Sequence, residues 1–157
     1  MGKEAKILVV DDDELIADLL AEWLKKKGHR VHAAYGGRQG LEAFEKGKYD
    51  LVITDLMMPE MDGIALIEAV KKRDPRMAVL MLSGLGTIEK AVEAIKKGAY
   101  DFVTKPVDFQ VFQETIDRAL ERRDLFRQLS LFRRLTIALV LSLPFWLLLG
   151  ILISVWR

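Results

Sequence analysis

The apolar positions of this chain follow two alternating rhythms. Short unbroken runs read as buried strands: Lys6–Val10 (KILVV), Arg30–Ala34 (RVHAA), Asp50–Thr54 (DLVIT), Met77–Ser83 (MAVLMLS) and Asp101–Thr104 (DFVT). Between them, apolar residues recur every three or four positions. Leu15, Ile16, Leu19, Leu20, Trp23 and Leu24 make one such stripe, which Gly28 stops. Gly36 and Gly37 break the chain before a short helix holding Leu41 and Phe44. Pro59 and Gly63 punctuate a loop before Ile64, Ile67 and Val70. Ile88, Ala91, Val92 and Ile95 mark a fourth helix, closed by Gly98, and Asp108 is an N-cap for a fifth. Five β-α repeats of this kind predict an α/β fold, a doubly wound five-stranded parallel sheet covered on both faces.

The rhythm changes at the end. Leu135–Trp156 is 22 residues without a charge, with eight Leu, three Ile, two Val and one Phe. As a helix it rises about 33 Å, enough for a hydrocarbon core near 30 Å, and it has no polar face. The expectation is one transmembrane helix over residues 135–156, preceded by an arginine-rich juxtamembrane helix over 121–134 and a domain over 1–120. Arg122, Arg123, Arg127, Arg133 and Arg134 precede the span and Arg157 alone follows it, which puts the larger domain on the cytoplasmic side. Ala138, Ser142, Gly150 and Ser154 lie on a four-residue spacing, broken only by Trp146, that would let two such helices approach, so a homodimer is a further expectation. Leu125, Leu129 and Phe132 continue a helical spacing between domain and span, suited to a spacer, a coiled coil or a helix on anionic lipid.

Charge adds little. Lys plus Arg number 24 and Asp plus Glu 23, so no global basic field points to nucleic acid. There is no Cys, which excludes disulfides, thiol catalysis and Cys-ligated zinc. The start, MGKEAKILVV, lacks the shape of a signal peptide.

The chemistry comes from where the strands end. In parallel α/β sheets the ligand site lies beyond the carboxyl ends of the strands. The residues there are Asp11, Asp12, Asp13, Asp55, Ser83 and Lys105. If the sheet gathers three of the carboxylates, they need a proton or a cation. Two unit charges about 4 Å apart repel by roughly 4 kcal/mol at an effective dielectric near 20. Hard oxygen ligands suit Mg²⁺. Lys105 adds an ammonium and Ser83 a hydroxyl. Such a set suits a phosphoryl group, and a carboxylate can itself be the nucleophile.

ILVVDDDELI, DLVITDLMMPEMDG, VLMLSG and GAYDFVTKPVD, in this order, resemble the receiver domain of two-component response regulators, over about Lys6 to Leu120. GTIEKAVEAIKKGAYDFVTKPVD is most similar to receivers that precede enhancer-binding transcription activators. The resemblance implies that Asp55 is the phosphoacceptor. It implies that Asp11, Asp12 and Asp55 hold Mg²⁺ with the backbone carbonyl of Met57. It also implies that Ser83 and Lys105 bind the phosphoryl group, that Phe102 is the aromatic switch residue, and that Pro106 follows a cis peptide bond. The partner implied is a sensor histidine kinase or phosphotransfer protein. The turnover implied is self-phosphorylation from a phospho-His donor and slow autodephosphorylation. Gly84 stands where the family usually has Ala, and Phe102 lacks a hydroxyl.

Plainer roles compete at some positions. Asp13 and Glu14 suit a helix N-terminus. His29 and His32 flank a strand, share no metal spacing and read as surface or edge residues. Met57, Met58 and Met61 read as packing. The function expected is a phosphorylatable receiver held at the cytoplasmic face of a bacterial inner membrane, acting by phosphorylation-dependent protein–protein contact and not on nucleic acid. The alternatives are a piece of a longer membrane signalling protein, a DNA-binding regulator and a passive membrane scaffold.

Overall fold

A computed structural model describes the backbone of residues 4–84 and 88–155, and the side chains of these except 127, 130, 131, 133–135 and 143–155. Ten elements alternate: β1 (Lys6–Val10), α1 (Glu14–Lys26), β2 (Arg30–Ala34), α2 (Gly37–Lys46), β3 (Leu51–Asp55), α3 (Gly63–Arg73), β4 (Ala78–Ser83), α4 (Ile88–Lys96), β5 (Asp101–Thr104) and α5 (Phe109–Val155). The five strands form one parallel sheet in the order β2-β1-β3-β4-β5. The runs at β3 and β4 begin one residue later than their apolar patterns, and β3 extends to include Asp55.

Successive strand residues face opposite sides, so continuous apolar strands feed two cores. Leu8, Val10, Val52, Val79 and Met81 pack with Phe44 of α2, Ile67 and Val70 of α3 and Ala94 of α4. Ile7, Val9, Leu51, Ile53, Leu80 and Leu82 pack with Leu20 and Leu24 of α1 and Phe112 and Ile116 of α5. Trp23 meets Phe109 in a tilted pair, centroids 4.9 Å apart, and stacks on Phe112 at 5.8 Å, packing α1 beside the start of α5.

Local chemistry sets the helix ends. Asp13 caps α1, accepting from the N–H groups of Leu15 and Ile16. Asp108 accepts from Gln110 and Val111 at the start of α5. Gly28, at φ 92°, turns the chain after α1 in a conformation that L residues avoid.

The chain falls into two units, Met1–Arg123 and Asp124–Arg157. Arg123, placed with the juxtamembrane arginines on sequence grounds, is instead 9% exposed within the first unit. Its guanidinium donates to the carbonyls of Tyr49 and Arg76, both at 3.1 Å, and to the Asp74 carboxylate at 3.0 Å. It ties the segment before β3 and the segment before β4 to α5. Arg123→Met should lower unfolding stability by about 2 kcal/mol, because hydrogen bonds to charged groups contribute that much and two carbonyls lose a donor. Urea unfolding checks this; an unchanged midpoint would remove the clamp from the list of stabilising contacts.

His29 also differs from its reading as a surface or edge residue. It is buried, and burial holds its imidazole below the ordinary histidine pKa. His32 is exposed and its Nδ1 meets the Tyr49 hydroxyl at 2.6 Å.

In the second unit the described apolar side chains, including Leu125, Leu129, Phe132, Leu139 and Leu141, are exposed. Among the described residues no helix is long and apolar enough to cross a membrane. Of the stretch expected to span, only residues 136–142 carry described side chains, about 10 Å of helix against the roughly 30 Å a crossing needs. The rest of it, with Gly150 and Ser154 of the small-residue stripe, lies outside the described side chains.

Candidate functional site

The sheet order sets β1 between β2 and β3, so the carboxyl ends of β1 and β3 are adjacent. Asp11 follows β1 and Asp55 ends β3; both are buried. β5 delivers Lys105 from the far edge. Its Nζ donates to Asp11 Oδ2 at 2.8 Å and to Asp55 Oδ1 at 2.5 Å. The second oxygen of each acid is taken by backbone. Asp11 Oδ1 accepts from Asp13 N at 3.0 Å, and Asp55 Oδ2 from Met57 N at 2.7 Å. Each carboxylate is thus held at both oxygens. The Lys105–Pro106 peptide is cis.

Burial pushes the Asp11 carboxyl up from its ordinary pKa, against the hydrogen bonds from Lys105 and Asp13. Burial also opposes the charge on Lys105, but the Asp11 and Asp55 carboxylates outweigh it and hold the ammonium above the ordinary lysine value. The linkage has opposite signs at the two groups. Folded Asp11 keeps its proton to higher pH than the unfolded chain does, so ionising it as pH rises through the carboxylate range reduces stability. Lys105 contributes stability below its unfolded pKa and loses it as pH rises through the folded value.

Ser83 ends β4 and is 1% exposed; its Oγ has no hydrogen-bond partner among the described residues. A buried hydroxyl without an acceptor is rare and costs about 1–3 kcal/mol, so it marks a place for a ligand oxygen. Phe102 lies on β5, partly buried against the core under α2–α4. Residues 85–87, next to Ser83, lie outside the described residues.

Asp12 stands apart from the buried pair. It is exposed and lines a cleft of about 410 Å³ with Tyr35, Gly37, Arg38, Pro59 and Glu60. Among the described residues no three acidic or histidine side chains converge as a metal-binding group. The ammonium of Lys105 joins Asp11 to Asp55 instead. The oxygens beside it, the carboxylates of Asp11 and Asp55, are hard donors of the kind Mg²⁺ accepts with several waters kept.

One site residue escaped the sequence-level reading. Gly63 starts α3 with its N–H on the Leu56 carbonyl, 2.9 Å away. A Cβ there would lie 2.2 Å from the Asp55 carbonyl oxygen. Gly63 therefore lets a helix start against the backbone that carries Asp55. Its sequence signal was no more than a loop glycine.

Comparison with known proteins agrees with this geometry. A family model described as the response regulator receiver domain matches residues 7–117. The transcriptional regulatory protein ZraR of Escherichia coli K12 is 43% identical over 114 residues, 73% of this chain and 26% of that protein. A putative response regulator described as NtrX-like, from Rickettsia bellii, is 40% identical over 124 residues, 78% of this chain and 26% of that protein. The chain thus spans about a quarter of the length of these curated relatives. Among solved structures, a response regulator receiver domain protein from Clostridium thermocellum superposes with TM-score 0.75 at 36% identity, covering 78% of this chain and 98% of the other. Over most of its length, then, this chain belongs to the response regulator receiver domain family and is a receiver of two-component signalling with the flavodoxin-like α/β fold.

Proposed function

We propose that Asp55 accepts a phosphoryl group from a phosphohistidine on a sensor kinase or phosphotransfer protein, and that a later hydrolysis releases it. The observation that carries this reading is the Lys105 ammonium shared between the buried carboxylates of Asp11 and Asp55. An Asp55 oxygen attacks phosphorus, a P–O bond forms, the donor's P–N bond breaks, and the donor ring, protonated at its other nitrogen, leaves as neutral imidazole. Lys105 stays beside Asp55 to neutralise the charge that arrives. Met57 N–H holds the other Asp55 oxygen and so orients the attack. Ser83 Oγ donates to a phosphoryl oxygen, and its movement, followed by Phe102, carries the change to the distal face. Asp11, Asp55, Asp12 and the Met57 carbonyl are the groups to hold Mg²⁺, which when bound supplies charge neutralisation for the phosphoryl oxygens. Labelling by acetyl phosphate as a base-labile acyl phosphate, lost on chelation of Mg²⁺, is the expected result. Labelling that survives full chelation would end the Mg²⁺ assignment.

A second reading concerns Leu135–Trp156. Its uncharged composition and the arginines before it favour a single-pass anchor with the receiver in the cytoplasm. Deleting residues 135–157 should move the protein from membranes to the soluble fraction with Asp55 labelling intact. A truncated chain that stays with membranes would exclude the anchor. The matched relatives are transcriptional regulators, so an output on DNA is the alternative; retention of the chain by duplex DNA would favour it.

A further inference from the structure

We propose that the end of the receiver unit where its strands begin docks on an anionic lipid surface. In a parallel α/β sheet the helices run back against the strands, so the C-termini of α1–α4 and the α-to-β junctions lie at that end. Lys26 closes α1, Lys48 lies between α2 and β3, and Lys72 is in the last turn of α3. Arg76 lies between α3 and β4, and Lys96 closes α4. All five are exposed, and the side chain of none has an ion-pair partner among the described residues. Cations in last turns complement helix dipoles, which explains their position. Several acids at this end are engaged by other cations: Glu4 by Arg30, Glu22 by Lys25, Glu45 by Arg73, Glu68 by Lys97 and Asp74 by Arg123. The carboxyl end of the sheet carries the opposite sign, with Asp11, Asp12, Asp13, Asp55, Glu60 and Asp62. Arg38 pairs with Glu60 and Lys105 with Asp11 and Asp55 there, which leaves a smaller acidic excess, and the unit is polarised along its strands.

Lipid is favoured over other polyanions by where the chain goes next. Arg123, anchored on Tyr49, Arg76 and Asp74, belongs to this same end and is the last residue of the first unit. The sequence continues from there through Arg127, Arg133 and Arg134 into the uncharged Leu135–Trp156. Eleven residues, 124–134, separate Arg123 from that stretch in the sequence. Polybasic surfaces held this near a cytoplasmic leaflet are attracted to its anionic headgroups, within roughly a Debye length of 8 Å at physiological salt. The inference rests on the anchor reading for its tether, but the two fail separately in one experiment.

The full chain is mixed with neutral phosphatidylcholine vesicles and with vesicles containing roughly 30% phosphatidylglycerol. Flotation is measured, with amide hydrogen exchange at residues 46–50 and 71–77. The same is done for the variant K26Q/K48Q/K72Q/R76Q/K96Q, whose Asp55 labelling confirms that it folds. Expected is flotation on both vesicles, with exchange in both segments slowed roughly tenfold on anionic vesicles only, lost in the variant and reversed by salt. Flotation on anionic vesicles alone, abolished in the variant, upholds the docking surface and refutes the anchor. Flotation on both without anion-dependent protection keeps the anchor and overturns the docking surface. Flotation on neither overturns both. Equal protection of these segments by a short DNA duplex would overturn lipid as the partner.

Discussion

Asp55→Asn is expected to lose phosphoryl labelling by on the order of 10³-fold or more, to the background of the assay. The substitution keeps the volume of the side chain and replaces the attacking oxygen by a neutral amide. The amide oxygen can accept from only one of the Met57 N–H and Lys105, but Lys105 keeps Asp11 as a partner, so the fold should survive the change. Removing a nucleophile abolishes a covalent step outright, whereas removing a charge beside it only slows that step. The contrast is with Lys105→Met, which should retain slow labelling. Mass spectrometry of the acyl phosphate in the two variants is the check. If Asp55→Asn labels as well as the parent chain, the acceptor is elsewhere, with Asp11 and Asp12 as the first places to look.

The second large effect is on stability, at Gly63. Gly63→Ala should destabilise the domain by about 3 kcal/mol, the upper part of the usual range for overpacking, because the new methyl meets backbone that cannot rotate away. The melting temperature should fall by about 10 °C. Asp55 labelling should fall as well, since the obstructing atom is the carbonyl of Asp55 itself. Gly84→Ala is the control. Its methyl would have Lys105 Cβ as its nearest neighbour, 4.0 Å away, so the alanine usual in the family should be tolerated with both properties unchanged. Equal behaviour of the two variants would show that the tight contact at Gly63 relaxes at no cost.

The strands were legible because a parallel sheet covered on both faces needs unbroken apolar runs, and KILVV or VLML can hardly be anything else. The caps at Asp13 and Asp108 were legible because capping is local chemistry. Asp11, Asp55 and Lys105 were collected by the rule that sites lie past strand ends, and the sheet order brought them together. What stayed hidden depends on distant partners. Arg123 reaches Tyr49, Asp74 and Arg76, 47 to 74 residues away, and looked like one more arginine in a basic run. His29 is buried although its neighbours Gly28 and Arg30 are a turn residue and an exposed charge. Asp12 adjoins Asp11 in a run of three acids, and only the backbone direction after β1 decides which of them goes inward.

The sheet order has a consequence for how the molecule comes into being. Lys105 is 94 residues from Asp11 and 50 from Asp55 along the chain. Contacts this far apart form late, since loop closure must be completed before they are rewarded. The strands carrying Asp11 and Asp55 can pair while β5 is still being made, but the acids then face each other with no ammonium between them. A nascent or partly folded chain therefore holds its acceptor in mutual repulsion. Fast phosphoryl acceptance thus waits for the last strand, which delivers Lys105.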